Sequence, residues 1–221
     1  MCEMDSIIRQ NQKAYDYLAK SYANEWAGKP DTQLAELFVS YLPPLARVLD
    51  VGCGPGQYSY YFHRCGFNVS GIDFSKEMIS IARETFKGID FSQQDMRSLS
   101  FDNNIFDALW VCSSFVHIPK EEALSVLKEF RRVIKKSGYL FINAIIGDLP
   151  YRLESEEEIG GNYKGNGRYF QWYPHSLAFV DLLHNAGYSV ERIVSKDVTS
   201  SVLKNATIRT NKWFNYFCRV I

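Results

Sequence analysis

Apolar runs that end in glycine, separated by segments with helical periodicity, organise this chain. Residues 6–27 carry Tyr15, Leu18, Tyr22 and Trp26 at helical spacing, which predicts one helix, or two short ones, with an aromatic stripe. Gly28, Lys29, Pro30 and Asp31 break it. Asp31 or Thr32 can cap a second helix that runs to about Leu42 and stops at Pro43 and Pro44. Near Arg47 the pattern changes. Val48, Leu49 and Val51 surround Asp50 and run into a loop with glycine at alternate positions, Gly52, Gly54 and Gly56. Such a run reads as a buried strand turning sharply into a helix, here over residues 57–65.

The alternation continues. Residues 67–73 read as a second strand ending in Asp73, and Ser75 caps a helix to about Phe86. Residues 89–96 read as a third strand ending in Asp95, and residues 105–114 as a fourth. Residues 119–136 put Leu124, Leu127, Phe130 and Ile134 on one helix face, with Ser137 and Gly138 as the stop before a fifth strand over 139–146. Residues 147–168 are polar and rich in glycine and glutamate, the pattern of a long functional loop. A helix over 173–186, with Gly187 as its C-cap, precedes two more strands at 188–196 and 212–220. Strand–helix alternation of this kind predicts a doubly wound α/β sheet. With neither repeat nor linker, residues 1–221 read as one domain. It has a helical cap over about residues 1–44 and a lid-like loop over about 147–168.

Composition narrows the partners. Lysine plus arginine and aspartate plus glutamate are 25 each, so the formal charge is zero, which disfavours nucleic acid as the main partner. Cys2, Cys53, Cys65, Cys112 and Cys218 show no CxxC pair, as expected of reduced thiols in the cytoplasm. The acidic N-terminus lacks a signal-type apolar region, and no apolar run approaches the roughly 20 residues needed to span a bilayer. The four histidines show no metal spacing, so no metal is expected.

The candidate chemistry lies at the predicted strand ends. Glycine tolerates positive φ and lets a ligand lie against the backbone, and the first turn of the following helix favours a polar or anionic ligand group. Asp50 inside a strand end needs a partner, for which a ligand ammonium is a candidate. Asp73 follows the glycines by about 20 residues, the spacing at which a carboxylate receives ribose hydroxyls. Asp95 can accept from an adenine amino group while Met96 packs on the base. His117 follows the fourth strand at the sheet edge where α/β folds bind ligands, and histidine can act as a base.

Together, Val-Leu-Asp-Val-Gly-Cys-Gly-Pro-Gly from Val48, Gly-Ile-Asp-Phe-Ser-Lys-Glu-Met-Ile from Gly71 and Gln-Gln-Asp-Met-Arg from Gln93 resemble the class I S-adenosylmethionine-dependent methyltransferases. The segments from Phe106 to Pro119 and from Arg131 to Ile142 extend the likeness. It is similar to the small-molecule branch, the methyltransferase type 11-like proteins. The resemblance implies a Rossmann-like, seven-stranded, mostly parallel sheet of order 3-2-1-4-5-7-6, its last strand antiparallel, with helices on both faces. It implies S-adenosyl-L-methionine as cofactor, S-adenosyl-L-homocysteine as product, and a small-molecule methyl acceptor. Gly52, Cys53, Gly54 and Gly56 would surround the methionine moiety, with Asp50 under its ammonium and the Cys112 carbonyl beside it. Asp73, with Phe74 and Met78, would take the ribose, and Asp95 and Met96 the adenine. His117 is the expected base and Tyr22 the expected cofactor-side catalytic contact. Tyr15, Trp26, Tyr169 and Tyr173 are expected against the acceptor. Two other readings are a nicotinamide-dependent oxidoreductase, which Gln57 disfavours where the dinucleotide fingerprint has glycine, and a non-catalytic S-adenosylmethionine-binding protein.

Overall fold

The computed structural model describes residues 3–26, 30, 32–147, 150–155, 159, 164–165, 167–197 and 212–221. The first strand, β1 (Arg47–Val51), is central because Val48, Leu49 and Val51 are fully buried. It pairs in parallel with β2 (Asn68–Asp73) on one side and β4 (Phe106–Val111) on the other. Outside β2 lies β3 (Asp90–Gln93), and outside β4 lies β5 (Ile134–Ile146), both parallel. Beyond β5 the antiparallel β9 (Lys212–Val220) is flanked by β8 (Tyr188–Asp197). The order β3-β2-β1-β4-β5-β9-β8 is the expected one, with β8 and β9 as its sixth and seventh strands.

Helices cover both faces. On one side, α2 (Thr32–Val39) and α3 (Gln57–Arg64) press Phe38 and Phe62 onto Trp110, which stacks on Phe141 at 3.8 Å. On the other, α5 (Lys120–Val133) and α6 (Ser176–Asn185) place Leu127, Phe130 and Phe179 against Leu49, Leu109 and Tyr216. Between β2 and β3 runs α4 (Lys76–Thr85), whose N-cap Ser75 accepts from the Met78 N–H. The long α1 (Glu3–Trp26) crosses the carboxyl edge of the sheet.

Three elements differ from the sequence expectation. The helix expected over 119–136 ends at Val133, and Ile134 already pairs with Phe106. Ser137 then takes φ 59° in a register slip, and a Cβ on Gly138 would meet the Asp107 carbonyl oxygen at 2.7 Å. The third strand stops at Gln93, so Asp95 lies in the following turn. Finally, Tyr173 is not helical. Residues 169–173 form β7 (Tyr169–Tyr173), a run of aromatics with high strand preference. His175 then caps α6 by accepting from the Ala178 N–H. β7 forms a hairpin with β6 (Tyr151–Leu153), within the stretch expected to be loop.

This hairpin shapes the site. The β4–β5 ladder stops at Val111↔Ile142, whereas β7 joins β5 at Ile145↔Trp172 and Ile146↔Tyr173. β7 therefore stands past the end of β4, on the same side of β5, and walls the carboxyl edge.

Candidate functional site

A cavity of about 580 Å³ opens at that edge, beneath α1 and beside β7. Its size is that of a site for a drug-sized ligand. The floor over β1 and β2 is the glycine turn. Gly52, Gly54 and Gly56 have φ 72°, 54° and 91°, which explains the alternate glycines. Their roles differ. A Cβ on Gly52 would lie 2.2 Å from Ser114 Cβ, and one on Gly56 2.9 Å from Phe91, so both are held by packing, and Gly56 lies outside the cavity lining. A Cβ on Gly54 would meet no atom within 4 Å, which leaves the cavity side of the turn open. Cys53 also lines the cavity, and burial holds its thiol protonated.

Two carboxylates face the turn. Asp50 is 2% exposed, and Ser59 Oγ donates to it at 2.6 Å. Burial raises its pKa to about 7, with Asp73 adding to the shift. Asp73 accepts from the Gly54 N–H at 2.9 Å and the Ser75 N–H at 2.8 Å, so it ties the turn to α4. Burial lifts its pKa to about 6 against these two bonds. None of the principal groups acting on either carboxylate is a cation. Gln57 Oε1, also on the cavity wall, is buried without a partner. Two costly carboxylates and an orphaned acceptor beside an open glycine are an acceptor set for a ligand with an ammonium and hydroxyl groups.

Farther along the edge, Phe74, Met78 and Met96 supply apolar wall. Asp95 is there too, but Arg97 grips it through Nη2 at 2.8 Å, Nε at 3.0 Å and its backbone N–H at 2.9 Å. Arg97 also reaches Asp5 and Glu122, at 3.2 and 3.3 Å. Much of the accepting capacity expected for an adenine is thus taken within the chain. Cys112 lies at the end of β4 beside Ser113, whose N–H donates to Asn143 Oδ1 at 2.7 Å.

His117 ends a short 3-10 turn (Phe115–His117). Its Nδ1 lies 2.7 Å from the Tyr169 carbonyl, which only accepts, so Nδ1 carries the proton. Its Nε2 therefore accepts from the Tyr15 hydroxyl at 2.8 Å. Burial lowers the ring pKa to about 4, helped by Arg168 nearby. Both ring nitrogens are engaged within the chain and the ring has little basicity near neutral pH, an arrangement that suits holding Tyr15 in place better than removing a proton. The network continues. Tyr15 stays protonated through burial, and the guanidinium of Arg168 lies over its ring at 5.2 Å; Arg168 is paired with Glu154 through Nε at 2.5 Å and Nη2 at 2.9 Å. Asn11 meets both backbone groups of Tyr169, accepting at 2.7 Å and donating at 3.4 Å. These contacts clamp α1 onto β7.

The other expected acceptor contacts divide. Tyr15 and Tyr22 line the cavity edge to face, 6.2 Å apart, and burial pushes the Tyr22 hydroxyl above its ordinary value. The Trp26 side chain lies outside the described residues. Tyr169 and Tyr173 point away. Tyr169 Oη donates to Gln171 Oε1 at 2.6 Å, and Tyr173 packs on Phe179. Strand alternation turns their neighbour Phe170 into the cavity instead. Arg168, in the stretch that reads as far pocket wall, lines the cavity, as do Asn143, Asn215, Tyr58 and Trp213, which the sequence does not single out. Among the described residues no group of His, Cys, Asp and Glu could hold a metal, and no helix is long and apolar enough to cross a membrane.

The sheet order, the glycine turn and the carboxylates at the ends of β1 and β2 define a class. Residues 48–138 match the family model for a methyltransferase domain, and the fold around them is similar to that of solved S-adenosylmethionine-dependent methyltransferases. A methyltransferase-family protein of Bacillus subtilis (strain 168), YqeM, is 32% identical over 134 residues, covering 58% of this chain and 54% of that protein. The ubiquinone biosynthesis O-methyltransferase of Xanthomonas campestris pv. campestris (strain B100) is 32% identical over 107 residues, 46% of this chain and 44% of the relative. The chain thus spans about half the length of the curated relatives it matches. The Burkholderia thailandensis 1,6-didemethyltoxoflavin-N1-methyltransferase, solved with 1,6-didemethyltoxoflavin and S-adenosylhomocysteine, superposes with TM-score 0.73. At 17% identity it covers 100% of this chain and 91% of its own, a likeness of fold.

Proposed function

We propose that this protein transfers a methyl group from S-adenosylmethionine to a small-molecule acceptor by in-line displacement. The observation that carries the reading is the pair Asp50 and Asp73. Both are disfavoured as anions in the free protein, and both line the cavity onto which Gly54 opens. Asp50 would face the cofactor ammonium with Gln57 beside it. Asp73 would accept from the ribose hydroxyls with lone pairs that its backbone bonds leave free. Phe74, Met78 and Met96 would enclose the adenosine, and Asp95 would reach the adenine amino group with what Arg97 leaves it. Bound there, S-adenosylmethionine supplies an activated methyl group on a sulfonium.

The chain's own work is alignment and drying. Tyr15, Tyr22 and Phe170 form a largely apolar roof and wall over the strand ends, and the His117–Tyr15–Arg168–Glu154 network fixes that roof. Fixing two reactants in line contributes on the order of 7–11 kcal/mol to such reactions. His117 is a weak base whose Nε2 already accepts from Tyr15, so the reading favours an acceptor that reacts in its resting protonation state or loses its proton to solvent. The Xanthomonas relative, named for oxygen methylation in ubiquinone biosynthesis, supports a small acceptor. The test is calorimetry with S-adenosylhomocysteine, followed by mass detection of methylated product across a panel of small hydroxy, amino and thiol compounds. Failure of S-adenosylhomocysteine to bind at millimolar concentration overturns the reading.

A further inference from the structure

The face of β5 and β9 beneath the cavity carries an anomaly. Along the two strands the cross-strand pairs on this face are Tyr139↔Arg219, Phe141↔Phe217, Asn143↔Asn215 and Ile145↔Trp213. Two asparagines, 4% and 1% exposed, thus stand between two apolar pairs. Burying an amide without good hydrogen bonds is unfavourable. Asn143 Oδ1 is well satisfied by the Ser113 N–H, and Asn215 Nδ2 donates to the Val194 carbonyl at 2.9 Å. The rest is poorly matched. Asn143 Nδ2 reaches Asn215 Oδ1 only at 3.5 Å and the Cys112 sulfur at 3.7 Å. Both residues line the cavity, so the ill-matched donor and acceptor lie where a ligand can meet them.

The surroundings narrow the ligand. Trp213, Phe170 and Tyr58 line the same cavity, and rings of this kind favour a flat partner. The charge on this side is already spent: Arg168 is bound to Glu154, and His117 is neutral. The carboxylates on the cavity wall with no cation among their principal partners stand at the ends of β1 and β2, and Glu25 is at the exposed end of α1.

We propose that Asn143 and Asn215 form the polar floor of the acceptor subsite, and that its occupant is an uncharged, planar aromatic or heteroaromatic molecule bearing a hydroxyl or carbonyl oxygen. The oxygen accepts from Asn143 Nδ2, a hydroxyl can also donate to Asn215 Oδ1, and the ring lies among Trp213, Phe170 and Tyr58. This rests on the methyltransferase reading of the same cavity.

The test titrates three probes of one shape into the protein saturated with S-adenosylhomocysteine, by ligand-detected NMR: 2-naphthol, 2-naphthoate and 2-naphthylmethylammonium. The expected result is binding of 2-naphthol, with both charged probes at least about tenfold weaker because a charge would be buried without a partner. Asn215→Leu should weaken 2-naphthol about five- to tenfold, the loss of one hydrogen bond, and leave S-adenosylhomocysteine affinity within about twofold. Asn143→Leu is the second variant and should weaken 2-naphthol at least as much. Charged probes binding as tightly as 2-naphthol, no binding of 2-naphthol, or unchanged affinity in both variants overturns the assignment. Those outcomes with S-adenosylhomocysteine still bound leave the methyltransferase reading standing, whereas loss of S-adenosylhomocysteine binding to the parent protein removes both.

Discussion

Cofactor binding should expel protons. In the free protein Asp50 has a pKa of about 7 and Asp73 of about 6, each raised by burial. At pH 7 Asp50 then holds about half a proton and Asp73 about a tenth, and at pH 6 about 0.9 and about 0.5. A ligand ammonium beside Asp50 favours the ionised form. Binding should therefore release about half a proton from Asp50 at pH 7 and about 0.9 at pH 6. The assay is calorimetric titration of S-adenosylhomocysteine in buffers of low and high ionisation enthalpy, where the slope of observed against buffer enthalpy counts the protons. Affinity should weaken as pH falls below 7, since each released proton opposes binding in acid. Asp50→Asn should lose this component and bind roughly 10-fold or more weakly, as one charge-assisted hydrogen bond is worth about 1.5–3 kcal/mol. Enthalpies independent of buffer at both pH values, or an Asp50→Asn variant releasing the same number of protons, would refute the argument.

Other expectations follow from the same geometry. Asp73→Ala should weaken S-adenosylhomocysteine by roughly 10-fold or more, because a buried ribose loses a charged acceptor; unchanged affinity in a folded variant would remove the ribose assignment. Gly54→Ala should stay folded at a cost of about 1–2 kcal/mol for a left-handed residue yet bind cofactor poorly. Gly52→Ala, whose Cβ meets Ser114 at 2.2 Å, should chiefly lower the melting temperature. His117 is depressed from 6.5 to about 4, so the unfolded chain binds more protons in that window, and the native stability present above pH 6.5 is lost as pH falls through it. His117→Asn should lack that loss, and chemical denaturation at pH 7 and 4.5 should differ between the two proteins by about 1–3 kcal/mol. Identical pH dependence would show that the ring is not held neutral. Finally, hydrogen exchange of α1 should slow when cofactor and acceptor bind, while α5 changes little.

The glycine turn and the strands around it were legible because their causes are local. Positive φ at Gly52, Gly54 and Gly56 demands glycine, and the apolar run before it demands burial. Asp73 is the exception among non-local contacts: its distance from the glycines is short, and parallel register carries it to the level of the turn, where it meets the Gly54 N–H. What was not legible depends on partners far apart in sequence. Arg97 claims Asp95 from within a two-residue turn that read as strand end. The aromatic run 169–173 showed neither that it was a strand nor which face turned inward, so Tyr169 and Tyr173 were chosen and Phe170 passed over. Glu154 explains why Arg168 is buried, yet the two are joined by hairpin pairing that polar, glycine-rich sequence conceals. Asn143 and Asn215 are 72 residues apart and gain meaning only from the antiparallel register of β5 and β9.

A crystal structure of the protein with S-adenosylhomocysteine tests the central claim most directly. The homocysteine amine should lie beside Asp50, the ribose hydroxyls on Asp73, the backbone of Gly54 against the ligand, and the sulfur should face the side of the cavity that holds Asn143, Phe170 and Trp213. A ligand bound elsewhere, or one in this cavity that touches neither Asp50 nor Asp73, would contradict it.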